Sequence, residues 1–189
     1  MSDTEPATGK ADLRDEFLQL RRSLTPEQIE QARAAVRSAV LARCTEDGWT
    51  TVAGYLPLRT EPGSHELLDA LVERGVRVLV PVTLPDRDLD WVALPGDVPA
   101  GHDAVASADA VLVPALAVAA DGTRLGRGGG SYDRALARVP AGVPVAALLH
   151  DGEAVEHLPR EPWDRPVTAY VTPAGGWHDL PTPAGRGNW

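Results

Sequence analysis

Residues 110–134 read Ala110-Val-Leu-Val-Pro114, then Ala115-Leu-Ala-Val-Ala-Ala-Asp-Gly-Thr, then Arg124-Leu-Gly126-Arg127-Gly128-Gly129-Gly130-Ser131-Tyr132-Asp133-Arg134. The first five residues are an apolar run of strand length with no alternation, as expected for a strand buried on both faces. Ser131–Val139 has the spacing of a helix. Between them, Ala115–Gly130 is too long for an ordinary strand-to-helix connection, and such loops usually carry function. Its second half lets the backbone approach a ligand closely, because glycine has no Cβ. The helix start that follows offers unpaired N–H groups, and Arg124 and Arg127 add forked donors suited to phosphate oxygens.

The same strand-then-helix grammar extends outward. Thr51–Leu56 reads as a short buried strand, and Ser64 caps a helix from His65 to Arg74 that stops at Gly75. Arg77–Val82, Leu89–Leu94, Val143–Leu149 and Ala169–Thr172 read as further strands. This pattern predicts an α/β fold: one domain, a three-layer sandwich around a mainly parallel sheet. Upstream, Leu13, Phe17, Leu20 and Leu24 recur at helical spacing, predicting a helix to about Arg22. Thr25-Pro26-Glu27-Gln28 opens a second helix with a capping box, running to about Arg43 with Ile29, Val36 and Val40 inward. The two are expected to form an N-terminal helical hairpin. Residues 1–9 read as a disordered tail, 10–174 as the domain, and 175–189, rich in Gly and Pro, as an irregular tail.

Composition narrows the function. The chain has 189 residues, 18 basic and 27 acidic, for a net charge of −9. A chain with this acidic balance lacks the basic face that nucleic-acid binding needs. Cys44 is the single cysteine, so no intrachain disulfide is available and a Cys/His zinc cluster is not expected. The polar N-terminus does not read as a signal peptide and no apolar run is long enough to span a bilayer, so a cytoplasmic protein without membrane or nucleic-acid partners is expected. The histidines His65, His102, His150, His157 and His178 show no metal-ligand spacing and read as surface or capping residues. Of the 18 basic residues only Lys10 is lysine. Two common phosphate motifs do not fit the glycine loop. A P-loop needs a Lys after its last glycine, and the dinucleotide fingerprint needs a third glycine where Ser131 stands.

The segment Arg124-Leu-Gly126-Arg127-Gly128-Gly129-Gly130-Ser131-Tyr132-Asp133 does resemble the signature of the 5-formyltetrahydrofolate cyclo-ligase family, R-L-G-x-G-[GK]-G-x-Y-D. Other segments resemble the family in order: Lys10-Ala-Asp-Leu-Arg14, Arg21-Arg22-Ser-Leu-Thr-Pro-Glu, Tyr55-Leu-Pro-Leu58 with Glu61, Gly75-Val-Arg-Val-Leu-Val-Pro81, Ala110–Pro114, and Leu158-Pro159 with Asp164 and Val171-Thr172. The resemblance covers about residues 10–174.

The resemblance implies an enzyme that uses ATP and Mg²⁺ to convert 5-formyltetrahydrofolate into 5,10-methenyltetrahydrofolate, with release of ADP and phosphate. The formyl group on N5 is an amide, and closure by N10 must expel its oxygen. Transfer of the γ-phosphoryl to that oxygen supplies a leaving group, and the protein's task is mostly positioning and charge stabilisation. By position, the resemblance assigns Lys10, Arg14, Arg124, Gly126, Arg127, Gly128, Gly129, Gly130, Ser131 and Tyr132 to ATP. It assigns Glu61, Tyr132 and Trp163 to the folate, Asp133 and Asp164 to Mg²⁺, and Lys10, Arg127 and Tyr132 to catalysis. Lys10 and Arg14, four apart, share one helix face. Two departures stand out. Ser131 occupies a position where a second tyrosine is frequent, and Trp163 one where histidine is common. A monomer is expected. The alternative is a non-catalytic relative that keeps the fold and binds nucleotide or RNA.

Overall fold

A computed structural model of the chain describes residues 9–181. Of the tails expected at 1–9 and 175–189, residues 1–8 and 182–189 lie outside the described residues. The elements are α1 (Lys10–Ser23), α2 (Pro26–Asp47), β1 (Thr51–Ala53), α3 (His65–Glu73), β2 (Arg77–Thr83), β3 (Leu89–Leu94), a 3-10 helix (His102–Ser107), β4 (Ala110–Pro114), β5 (Ala117–Ala119), β6 (Arg124–Leu125), α4 (Ser131–Leu136), β7 (Val145–Leu148), β8 (Ala154–Val155), β9 (Ala169–Thr172) and β10 (Gly176–Asp179).

Seven strands form one sheet in the order β10-β9-β7-β4-β1-β2-β3. The inner pairs β9–β7, β7–β4, β4–β1 and β1–β2 are parallel; the two outer pairs, β10–β9 and β2–β3, are antiparallel. The strand side chains alternate between faces as the pleat requires. Val52, Val78, Val80, Leu112, Ala146 and Leu148 meet Val36, Val40 and Cys44 of α2 and Leu67, Leu68 and Leu71 of α3. Their neighbours Ala53, Leu79, Val111, Val113, Val145 and Ala147 meet Val105, Ala135 and Leu136 on the other face. Burial on both faces is why these strands read as continuous apolar runs, and the layers are those of the expected α/β sandwich.

The helix starts follow their capping residues. Thr25 accepts from Gln28 N at 3.2 Å while Gln28 Oε1 accepts from Thr25 N at 2.8 Å, and Ser64 accepts from Leu67 N at 3.1 Å. Gly48 and Gly75, both in the left-handed region, end the helices before them.

Five expectations need correction. The helical hairpin is not a packed pair. A short turn joins α1 and α2, but their buried faces belong to different clusters, since Phe17 of α1 packs on Leu116, Ala117 and Leu125. Leu20 is 54% exposed, and Arg21 takes the inward place instead. The long connection after β4 is partly ordered as a hairpin: β5 and β6 pair antiparallel, and β5 pairs β8 in a second, small sheet. The expected helix Ser131–Val139 ends at Leu136. The stretch read as an irregular tail from residue 175 opens with β10, whose Trp177 packs on Trp49 with ring centroids 5.5 Å apart.

Candidate functional site

Chain direction along the sheet reverses at β1. The crossover through α3 places β2 on one side of β1, and β4 lies on the other. In open α/β sheets the crevice beyond the carboxyl ends of strands at such a switch point is the usual ligand site. Here it gathers the segments that follow β1 (residues 54–64), β4 (the glycine loop) and β7 (His150–Glu153), with the first turns of α1 beside them.

The glycine loop rests on two arginines. Arg14 Nε donates to Gly126 O at 2.8 Å, and its guanidinium lies under Gly128, where an added Cβ would stand 3.5 Å from Cζ. Gly128 has φ +94°, a conformation that other residues rarely adopt. Arg124 lies below the loop, its side chain only 7% exposed. Its side chain donates to Pro114 O and to Asp133 Oδ1, both at 3.3 Å, and stacks 5.7 Å from the Tyr132 ring centroid. It thus braces the loop from beneath instead of reaching out of it. Gly130, at φ +71°, is the N-cap of α4 and carries no side-chain cap; Ser131 is the first helical residue. Replacing Gly128 by Ala forces a Cβ into a left-handed conformation over Arg14. We expect about 1 kcal/mol or more of local strain, read as a fall in Tm of at least about 2 °C in a thermal melt. An unchanged melt would show that the loop tolerates the side chain.

Glu61 lies in the turn after β1, 3% exposed. Its Oε2 accepts from Leu58 N at 2.8 Å, and its Oε1 lies 3.4 Å from Arg127 Nε. Two residues singled out in sequence, 66 positions apart, therefore meet in space. Tyr132 packs against both faces of the core. Burial pushes its hydroxyl well above the ordinary tyrosine range, aided by the Glu61 charge and opposed by Arg124, so it stays protonated at neutral pH.

Lys10 opens α1, its Nζ donating to Asp164 Oδ2 at 2.6 Å and to Glu161 Oε2 at 2.7 Å. Burial lowers the ammonium's pKa, but the bonds to both carboxylates outweigh it, and the net shift is upward. Asp164 Oδ2 also accepts from Glu161 N at 2.8 Å. Asp133 Oδ1 accepts from the N–H of Arg165, the residue after Asp164, at 3.2 Å, so the two aspartates converge on one turn. Among the described residues no group of three or more His, Cys, Asp or Glu side chains is placed to hold a metal by itself. Trp163 is 66% exposed on the same turn.

Sequence reasoning missed four participants. Glu161 gave no signal beyond lying three residues before Asp164. His150, read as a surface or capping residue, is 6% exposed, and burial lowers its pKa. Arg21 is 2% exposed: Nε and Nη2 donate to the two oxygens of Glu153, each at 2.7 Å, and Nη2 also to Ala115 O. Arg33 of α2 reaches the turn that carries Glu61. Among the described residues no helix is long and apolar enough to cross a membrane.

The chain is 38% identical over 186 residues to the 5-formyltetrahydrofolate cyclo-ligase of Mycolicibacterium smegmatis, covering 88% of this chain and 95% of that one. It is 32% identical over 178 residues to the enzyme of the same name from Escherichia coli K12, covering 84% and 97%. The fold matches the solution structure of the Aquifex aeolicus 5,10-methenyltetrahydrofolate synthetase with a TM-score of 0.76, at 23% identity over 95% of this chain and 96% of that one. It also matches the Mycoplasma pneumoniae 5,10-methenyltetrahydrofolate synthetase, with a TM-score of 0.75 at 21% identity over 86% and 98%. The model of the 5-formyltetrahydrofolate cyclo-ligase family matches residues 6–173, and with glycine loop, N-terminal Lys-Arg pair and Glu61 assembled at one sheet edge, this chain belongs to that family.

Proposed function

We propose that the protein, acting as a monomer, closes 5-formyltetrahydrofolate to 5,10-methenyltetrahydrofolate at the expense of ATP, releasing ADP and phosphate. The contact between Arg127 and Glu61 carries the reading. Transfer from one bound substrate to another needs the donor and acceptor sites to touch, and here a residue of the glycine loop meets the carboxylate of the β1 turn.

In this reading the triphosphate lies along Gly126–Gly130, with Ser131 and Tyr132 at its end. Arg14 and Arg127 neutralise its oxygens, and Arg124 adds charge from below. Glu61 accepts from the N–H groups of the pterin, and Tyr132 lines the place where folate and γ-phosphate meet. Trp163 offers its exposed indole to the substrate. The formyl oxygen takes the γ-phosphoryl and ADP leaves. N10 then attacks the formyl carbon, phosphate departs with that oxygen, and N10 loses its proton to water. Lys10 follows the phosphoryl between the two positions. A protonated Tyr132 can donate to the oxygen that becomes charged.

The carboxylates of Asp133 and Asp164 have the hard-oxygen chemistry that Mg²⁺ prefers. Two such groups suffice where phosphates and water complete the shell. Magnesium would supply charge neutralisation at the phosphates. Asp133→Asn and Asp164→Asn should each raise the Mg²⁺ concentration for half-maximal turnover by about tenfold. An unchanged titration curve removes that residue from the ligand set.

Turnover itself is tested by absorbance of the methenyl product on mixing the protein with 5-formyltetrahydrofolate. Product is expected when ATP and Mg²⁺ are both present, and only slight product when either is omitted. Nucleotide binding without product in the full mixture would instead indicate the non-catalytic reading.

A further inference from the structure

The turn that bears Glu61 is held from outside through its backbone. Arg33, on α2, donates from Nε to Glu61 O at 3.2 Å, and from Nη2 to Arg59 O at 3.0 Å and Leu58 O at 3.3 Å. The one carbonyl of the turn that Arg33 does not take, Thr60 O, meets His150 Nε2 at 2.9 Å. Four consecutive carbonyls, residues 58–61, are thus tied to side chains from two other elements. The turn closes on itself through Glu61 N to Leu58 O at 3.0 Å and Leu58 N to Glu61 Oε2 at 2.8 Å. A carboxylate at the end of a free turn would sweep a wide arc. In this turn the backbone leading to Glu61 and its own carbonyl are held, and its carboxylate is shared between Leu58 N and Arg127 Nε. The remaining Arg33 nitrogen, Nη1, pairs with the exposed Glu30 at 2.8 Å on its own helix, which presets the guanidinium toward the turn.

We propose that Arg33 is a positioning residue for the folate site: its guanidinium, spread over three carbonyls of the Leu58–Glu61 turn, sets where the Glu61 carboxylate meets the substrate. This deepens the reading of Glu61 as the folate contact and rests on it. Arginine suits the task because a planar fork spans several acceptors at once, whereas an ammonium follows one at a time.

The test is steady-state kinetics on Arg33→Ala, Arg33→Lys, Glu61→Gln and the Arg33→Ala/Glu61→Gln double variant, with a thermal melt of each. Arg33→Ala should raise the folate KM by about tenfold, with ATP KM and kcat within about twofold, because charged hydrogen bonds to the turn are lost while the bonds of Arg33 reach only that turn and Glu30. Arg33→Lys should recover part of the loss; should the truncation not fold, this variant carries the test with an expected rise of about threefold. In the Glu61→Gln background the same truncation should add less than about twofold, the signature of two residues acting through one contact. A destabilised protein with unchanged folate KM, a parallel rise in both KM values, or full additivity in the double variant would overturn the positioning role. A raised folate KM in Glu61→Gln beside a normal one in the Arg33 variants would overturn this inference alone. A normal folate KM in Glu61→Gln would overturn the reading of Glu61 and this inference with it.

Discussion

Lys10→Gln is expected to lower kcat by about 10²–10³, roughly 2.7–4 kcal/mol of transition-state stabilisation, the usual cost of removing one preorganised charge from a reacting centre. The ammonium is caged by Asp164 and Glu161 at 2.6 and 2.7 Å and sits one helical turn from Arg14, which holds Gly126 O. It therefore stands at the edge of the glycine loop, on a flexible stem, with carboxylates that keep it charged at any working pH. A group that moves from those carboxylates to the transferring phosphoryl matters more in the transition state than in bound ATP. Its loss should thus appear in kcat more than in ATP KM. Lys10→Arg should restore part of the rate, since a guanidinium prefers a fixed planar fork. Steady-state kinetics on both variants, beside a melt showing that each folds, decides the matter. Near-normal kcat in Lys10→Gln, or complete rescue by arginine, would mean that the single lysine of the chain has no catalytic role.

The largest stability effect is expected at Arg21 and Glu153. Both side chains are nearly inaccessible, and they form a two-bond pair. Glu153 Oε2 also accepts from His150 N at 2.7 Å, and Arg21 also bonds Ala115 O. One ion pair thus ties α1 to the ends of β4 and β7. Removing either partner leaves a buried charge without its counterion, which costs about 3–5 kcal/mol. For a domain of this size that is a fall in Tm of roughly 6–20 °C. Glu153→Gln and Arg21→Met should both show it in thermal melts. Replacing both partners by apolar residues should recover part of the loss, because no unpaired charge remains. Unchanged melting of the single variants would show that water or another side chain takes over the pairing. Because α1 also carries Lys10 and Arg14, the single variants should show raised ATP KM even where they remain folded.

The elements legible in the sequence are those with enough residues to display a period or a cap. β2, β4 and β7 are continuous apolar runs, and the starts of α2 and α3 carry their capping side chains in place. The glycine loop was readable because its backbone demands glycine: Gly128 and Gly130 have positive φ. The small sheet was not readable, because strands of two or three residues such as β5, β6 and β8 are shorter than any alternation that could announce them. Leu20 and Arg21 exchanged expected places for a physical reason. An arginine is buried only when its partner is supplied, and Glu153, 132 residues away, cannot be paired with it from sequence alone. The same holds for Arg33 and Glu161, which act at distances of 28 and 151 residues. Contacts between residues far apart in the chain set the site, and local pattern does not carry them.

The most direct test of the account follows the formyl oxygen. The protein is given 5-formyltetrahydrofolate labelled with ¹⁸O in the formyl group, together with ATP and Mg²⁺ in unlabelled water, and the released phosphate is analysed by mass spectrometry. One ¹⁸O atom per phosphate, in step with methenyl formation, is the result expected if the γ-phosphoryl is transferred to that oxygen and leaves with it. Unlabelled phosphate accompanying product, or no product at all, would contradict the account.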